Sequence, residues 1–247
     1  MKSLGELAAE IGITVGGREE KLFSLYQNEL LAWNEGAGLT TLTTEADIRR
    51  IHFLDSLSVI LAGHPPAAGR VVDVGAGGGF PGVPLKICRP DLRLVLVEAN
   101  GRKAAFLRHL VEALDLDGVR VYQGRVETAG REAELRERCD LAVGRAVAAL
   151  PVLLEYALPL VAVGGRVVAL KGPRITDELQ GAEQAGEMLG GEKMEVISFA
   201  LPGGGEERRL AVWKKVRKTP GEYPRRPGVP AKRPLQGRAT PINSAGS

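Results

Sequence analysis

The sequence predicts an α/β fold: a mostly parallel seven-stranded sheet ending in an antiparallel hairpin, preceded by an N-terminal helical cap. Three observations predict it. From Arg70 onward short β-rich runs alternate with helical stretches, the pattern of β-α units with helices on both faces of a parallel sheet. The last two apolar runs are joined by Leu201-Pro202-Gly203-Gly204-Gly205, which leaves no room for a helix, so they pair as a hairpin. Before Arg70 the apolar residues recur at helical spacing.

The elements follow in order. Residues 18 to 35 place Leu22, Leu25, Tyr26, Glu29, Leu30 and Trp33 on a helical repeat, and Gly36 and Gly38 stop it. A second helix starts near Thr44, a residue suited to the N-cap, and runs through Ile48, Ile51, Leu54, Leu57 and Leu61 to Pro65 and Pro66. These two make residues 1–66 the cap. Strands are predicted at 70–74, 93–98, 119–122, 140–143, 165–170, 194–200 and 209–216, with helices beginning near Gly82, Gly101, Ala129, Pro151 and Ile175. They form the main domain, 67–216. With 247 residues and 44% apolar content the chain can hold one such domain of about 150 to 200 residues plus appendages.

Charge is unevenly distributed. Between Lys214 and Ser247 nine basic residues face one acid, Glu222, so this end carries +8 and the rest −5 of the net +3. Such a basic end suits a polyanion, because clustered Lys and Arg displace counterions from phosphates. Its prolines, among them Pro220, Pro224, Pro227, Pro230, Pro234 and Pro241, forbid a continuous helix, so residues 217–247 are expected to be an extended or partly disordered tail. No stretch approaches the 18 apolar residues of a spanning helix, and Cys88 and Cys139 are the only thiols. A cytoplasmic chain without membrane, disulfide framework or metal site is expected; His64 and His109 have no ligand-like spacing with other His, Cys or acidic residues.

One segment predicts a ligand. Residues 71 to 82 run from an apolar strand through Asp73 into a turn with glycines at 75, 77, 78, 79 and 82. Glycines crowd a strand-to-helix turn when the backbone needs φ > 0 or lies against a ligand. A Walker loop would need Gly-Lys-Ser/Thr where this chain has Gly79-Phe80-Pro81. Two readings remain. Gly77, Gly79 and Gly82 satisfy a dinucleotide fingerprint with Glu98 ending the next strand, the site of an NAD-dependent oxidoreductase. Alternatively, Asp73, Gly75, Gly77 and Gly79 form an Asp-x-Gly-x-Gly-x-Gly turn that resembles the S-adenosylmethionine site of Rossmann-like class I methyltransferases. Gly75 closing the strand, Pro81 at the helix start and the terminal hairpin favour the second. A non-catalytic RNA-binding protein is the other alternative.

Several blocks stand out: Leu39-Thr40-Thr41-Leu42-Thr43, Arg50-Ile51-His52-Phe53-Leu54-Asp55-Ser56, Asp73 through Leu85, Gly124-Arg125-Val126-Glu127, Gly144-Arg145-Ala146, Ala169-Leu170-Lys171-Gly172, Glu207-Arg208 and the tail run Tyr223 through Leu235. Together they resemble the bacterial GidB family of small-subunit ribosomal RNA guanine-N7 methyltransferases. Arg209 and Gly38 depart from the family pattern, which has His and Asn there. The resemblance covers roughly residues 20 to 234. It implies S-adenosylmethionine as methyl donor and 16S ribosomal RNA, or the small subunit, as partner to a monomeric enzyme.

Guanine N7 carries an in-plane lone pair and no hydrogen, so its methylation needs no general base. Consistent with that, there is no Asn/Asp-Pro-Pro-Tyr block, and neither cysteine sits in a Pro-Cys setting. The resemblance implies roles for single residues. Gly75, Gly77 and Gly79 would admit the methionine part, with Phe80 as an apolar wall; Glu98 suits the ribose; Val126 and Glu127 flank the adenine. Arg145, at the fourth strand's end, would face the transferred methyl and donate to guanine O6, to a phosphate or to the cofactor carboxylate. Lys171, placed similarly after the fifth strand, is the second catalytic candidate, and with Arg125 and Arg208 it forms an RNA-facing rim at that edge of the sheet. Arg225, Arg226, Lys232 and Arg233 extend the RNA contacts into the tail. His52 and Asp55, three apart on one helix face, read either as an acid–base pair or as a hydrogen-bonded cap over the cofactor mouth.

Overall fold

Alternation along β1 (Arg70–Val74) divides the interior in two: Val71 packs toward one core and Val72 and Val74 toward the other. Leu94 and Leu96 against Val95 and Val97 repeat this in β2 (Arg93–Glu98). The sheet continues with β3 (Val119–Gln123), β4 (Cys139–Arg145), β5 (Val161–Lys171), β6 (Gly191–Ala200) and β7 (Glu207–Lys215). The computed structural model describes residues 2–204 and 207–235. Strand order is β3-β2-β1-β4-β5-β7-β6; β7 runs antiparallel to both neighbours and every other pairing is parallel. Gly205, in the hairpin connection, lies outside the described residues.

The helices are α1 (Leu4–Ala9), α2 (Gly17–Ala37), α3 (residues 45–62), α4 (Gly82–Cys88), α5 (Gly101–Ala113), α6 (Val126–Ala129), α7 (Leu150–Ala157), α8 (Thr176–Met188) and α9 (Val229–Lys232). Thr44 caps α3 as predicted, its side chain accepting from the Asp47 amide at 3.2 Å. The helix then widens to a π-type turn over Ile48–Leu54 and tightens to 3-10 winding over Ser58–Ala62. Helix α1, capped by Ser3 with Glu6 in a reciprocal capping box, has no counterpart in the sequence reading. The helix expected to begin near Ala129 instead ends there, because Arg131 and Arg136 beyond it are engaged with carbonyls of residues 219–223.

An aromatic cluster clamps the cap to the glycine turn. Phe23 and Tyr26 pack on Phe53 with ring centroids 4.8 and 5.1 Å apart, and Tyr26 stacks on Phe80 at 5.3 Å. Each such pair adds about 1 kcal/mol beyond the area it buries. The buried Tyr26 hydroxyl donates to the Gly78 carbonyl at 2.5 Å, so α2 directly braces the turn.

The described part of the basic end, residues 217–235, is docked on the domain rather than disordered. Lys215 is fully buried, and over residues 217–235 the chain docks on α6 and α7. Arg225 grips Glu155, a fully buried carboxylate in α7, through side-chain bonds of 2.6 to 3.2 Å and through its own amide at 2.9 Å. Pro230 and Leu235 are buried. Residues 236–247, with Arg238 and Pro241, lie outside the described residues. Cys139 is buried and Cys88 half-buried, and burial pushes both thiols up to about 12. Among the described residues no helix is long and apolar enough to cross a membrane.

Candidate active site

The glycine turn takes a left-handed backbone where a ligand would need it bare. Gly75, Gly77 and Gly79 have φ of 70°, 56° and 96°, a region that side chains rarely adopt. Gly77 lines a cavity of about 780 Å³ and a Cβ there would meet nothing closer than the Gly75 carbonyl at 3.8 Å. Its backbone therefore stands open to the cavity, which fits a ligand without a phosphate cradle. Gly79 serves packing, since a Cβ would sit 2.5 Å from the Tyr26 hydroxyl.

Asp73 and Glu98 hold this turn in shape. The buried Asp73 accepts from the Gly82 amide at 2.7 Å through Oδ2, while Oδ1 has no partner among the described residues. Burial raises its pKa to about 7, against the Gly82 bond and Arg145, which lower it. Glu98 accepts from the Gly77 amide at 2.9 Å and the Asn100 amide at 2.7 Å. Because Gly82 is donated to Asp73 and pressed against Leu96, α4 does not present that amide to a pyrophosphate, and the dinucleotide register loses its third glycine to packing.

Arg145 ends β4 and lines the cavity with Gly75 and Ala76. Its Nη1 donates to the Ile51 carbonyl at 2.8 Å and to Asp55 at 3.1 Å, its Nη2 to His52 Nδ1 at 3.0 Å, and its guanidinium lies 4.8 Å from the Phe80 ring centroid. Asp55, 8% exposed, also pairs with Arg208 Nε at 3.3 Å. Burial and Arg145 lower the His52 pKa to about 4, keeping the ring neutral. His52 and Asp55 thus pair with arginines rather than with each other as acid and base. Phe80 is 5% exposed and stacks on His52 at 4.6 Å, so it anchors the cap as well as walling the cavity.

The other predicted residues divide. Lys171 lines the cavity, but its ammonium is bound to the Ala148 carbonyl and to Glu178, both at 2.8 Å, which pins the loop after Arg145. Arg125 is exposed beside α6. Val126 opens α6, whereas the Glu127 carboxylate is buried and accepts from the Gly228 amide at 2.8 Å. Arg226, Lys232 and Arg233 are exposed, while Arg225, its side chain 25% exposed, is bonded to the buried Glu155. The cavity also gathers Lys103, Arg209 and the loop Leu39–Leu42; the family-like Leu39–Thr43 block signalled the loop, Arg209 was noted only as a departure from the family pattern, and nothing signalled Lys103. Its lining holds five Lys or Arg against one acid, Asp55.

The strand order with a reversed β7, and a bare glycine turn at the tip of β1, define the class I S-adenosylmethionine-dependent methyltransferase fold. The same fold occurs in the crystal structure of an MtNAS variant with S-adenosylmethionine, at TM-score 0.53 and 17% identity over 87% of this chain and 77% of that one. The family model described as rRNA small subunit methyltransferase G, GidB, matches residues 19–210. Ribosomal RNA small subunit methyltransferase G of Roseiflexus sp. (strain RS-1) is 47% identical over 236 residues, 95% of this chain and 100% of its own length. The protein of that name from Moorella thermoacetica is 44% identical over 233 residues, 94% of this chain and 97% of its own. The chain belongs to the GidB family.

Proposed function

We propose that this protein transfers a methyl group from S-adenosylmethionine to N7 of a guanosine in 16S ribosomal RNA. The observation that carries the reading is one cavity joining the bare turn at Gly75 and Gly77 to a cation-rich mouth at the tips of β4, β5 and β7. The methyl donor is itself cationic, and with Glu178 and Glu207 paired to Lys171 and Arg209 the five basic residues still outnumber three carboxylates, an excess that suits a polyanionic second substrate.

When bound, S-adenosylmethionine supplies a methyl group on a positively charged sulfur. The N7–carbon bond forms as the carbon–sulfur bond breaks, the bonding pair stays on sulfur, and no proton leaves N7. The chain therefore supplies no general base. It acts by holding the two substrates in line and by shaping the field around the moving charge. Gly75 and Gly77 admit the methionine part against bare backbone, backed by Asp73 and walled by Phe80, while Gly79 lets the turn pack on Tyr26. Glu98 retains lone pairs for the ribose hydroxyls, and Val126 offers a backbone amide beside the adenine. Arg145 orients the base. Lys103, Arg125, Arg208 and Arg209 face the RNA backbone, with Arg226, Lys232 and Arg233 further out.

We assign residues 1–66 to the cap, 67–216 to the methyltransferase domain and 217–247 to a C-terminal segment, whose described part, residues 217–235, buttresses α6 and α7. The cavity is complete within one chain, which supports a monomer, and a ribosomal substrate supports a cytoplasmic location. Calorimetric titration with S-adenosylmethionine and with NAD tests the cofactor: micromolar binding of the first alone is expected, and binding of NAD alone contradicts the reading.

A further inference from the structure

We propose that Asp55 and His52 are positioning residues that turn Arg145 so that its Nε–Nη2 edge meets the target base, making it a selector of guanine over adenine. This rests on the methyltransferase reading above. A guanidinium is a planar fork with five N–H donors and no acceptor. The cap occupies its Nη1–Nη2 end through the Ile51 carbonyl, Asp55 and His52, and Phe80 covers one face. Among the described residues Nε makes no hydrogen bond, so the edge left for a ligand is the one formed by Nε and Nη2.

Each support is itself fixed. Because the guanidinium can only donate, His52 Nδ1 must accept, and its proton sits on Nε2, which donates to Thr40 Oγ1 at 2.7 Å. Thr40 accepts in turn from the Leu42 amide at 2.9 Å, tying the relay to the loop that lines the mouth. The π-type turn at Ile48–Leu54 leaves the Ile51 carbonyl available to Arg145. Asp55 holds Arg145 with one oxygen and Arg208 with the other, so a single buried carboxylate sets both arginines.

The side chain of Arg145 is only 15% exposed and lies beside Gly75 and Ala76, where the reacting edge of a base must enter; the RNA backbone meets the outer cations first. Both purines carry an N7 lone pair. They differ next to it, guanine with an O6 acceptor and adenine with an N6 donor, and an arginine donor favours the first.

The test uses the full chain, radiolabelled S-adenosylmethionine and small ribosomal subunits from cells lacking the modification, with cofactor titration beside it. His52→Phe should lower kcat/KM for the subunit about 30-fold, mostly in kcat, with S-adenosylmethionine affinity within twofold of wild type and cooperative unfolding kept. His52→Asn, which returns an acceptor near the Nδ1 position, should recover at least tenfold of that loss. On RNA with adenosine in place of the modified guanosine, Arg145→Met should narrow the wild-type preference by about 10- to 100-fold. An unrecovered His52→Asn variant with intact cofactor binding, or an unchanged base preference in Arg145→Met, overturns the proposal. A wild-type protein that methylates no guanosine overturns the methyltransferase reading instead.

Discussion

Replacing Arg225 by alanine strips a fully buried carboxylate of its counter-ion. Glu155 sits at 0% exposure inside the apolar helix α7, and the Arg225 side chain supplies Nε and Nη2 bonds of 2.6 to 3.2 Å. Removing one partner of a buried ion pair costs about 3 to 5 kcal/mol. The Arg225 amide still donates to Glu155 after the change, and the arginine side chain is 25% exposed, so water reaches the site; the low end, about 3 kcal/mol, applies. For a chain of this size that lowers Tm by about 6 to 12 °C. Arg226→Ala, one residue on and exposed, is the control and should move Tm by less than about 2 °C. Differential scanning calorimetry of both variants decides the matter. Equal and small shifts would show that the segment is not docked. A comparable loss of RNA affinity in both variants, with Tm unchanged, would return it to the role of an RNA arm.

Three further outcomes follow from the site. Gly75→Val puts a branched side chain at φ 70°, with its Cβ 3.0 Å from Val147, and should lower S-adenosylmethionine affinity at least 100-fold in calorimetry while the domain stays folded; retained binding would make the turn purely structural. Lys171→Met should reduce turnover without changing the slope of log K against log salt for RNA, because its charge is committed to Glu178 and Ala148; a shallower slope would make Lys171 a phosphate contact. Asp73, with its pKa raised to about 7, must carry a buried charge above that pH that the unfolded chain carries in water, so its contribution falls as pH rises from about 4 to 7 and is level above. His52, lowered to about 4, contributes with the opposite sign, rising from about pH 4 to 6.5. Urea unfolding of wild type against Asp73→Asn cancels the His52 part, and a stability difference constant from pH 4.5 to 7.5 would contradict the assignment.

The strands were legible because their apolar runs are short and bounded by glycine, proline or charge, and the observed β1 and β2 coincide with 70–74 and 93–98. Strand-tip residues were legible for the same reason: once β4 and β5 are placed, Arg145 and Lys171 must lie at one edge of the sheet. Their partners were not. His52 and Asp55 could be put on one helix face by spacing, but their ligand is an arginine about ninety residues away, which no local pattern encodes. The π-type turn, whose Ile51 carbonyl accepts from Arg145, has no signature in the residues Ile48–Leu54. The tail was misjudged because counting charges treats Arg225 and Arg226 alike, although one is sequestered and the other exposed. A signal did exist: Glu155 is the only charge in Leu-Pro-Val-Leu-Leu-Glu-Tyr-Ala, and a lone acid in an apolar helix asks for a basic partner.

Methyl transfer to ribosomal RNA is tested most directly by incubating the protein and S-adenosylmethionine with small ribosomal subunits lacking the modification, then digesting the 16S RNA for nucleoside mass spectrometry. One additional 7-methylguanosine per subunit, absent with the Gly75→Val variant, is the expected result. No gain in 7-methylguanosine, or a methyl group on another base, would contradict the account.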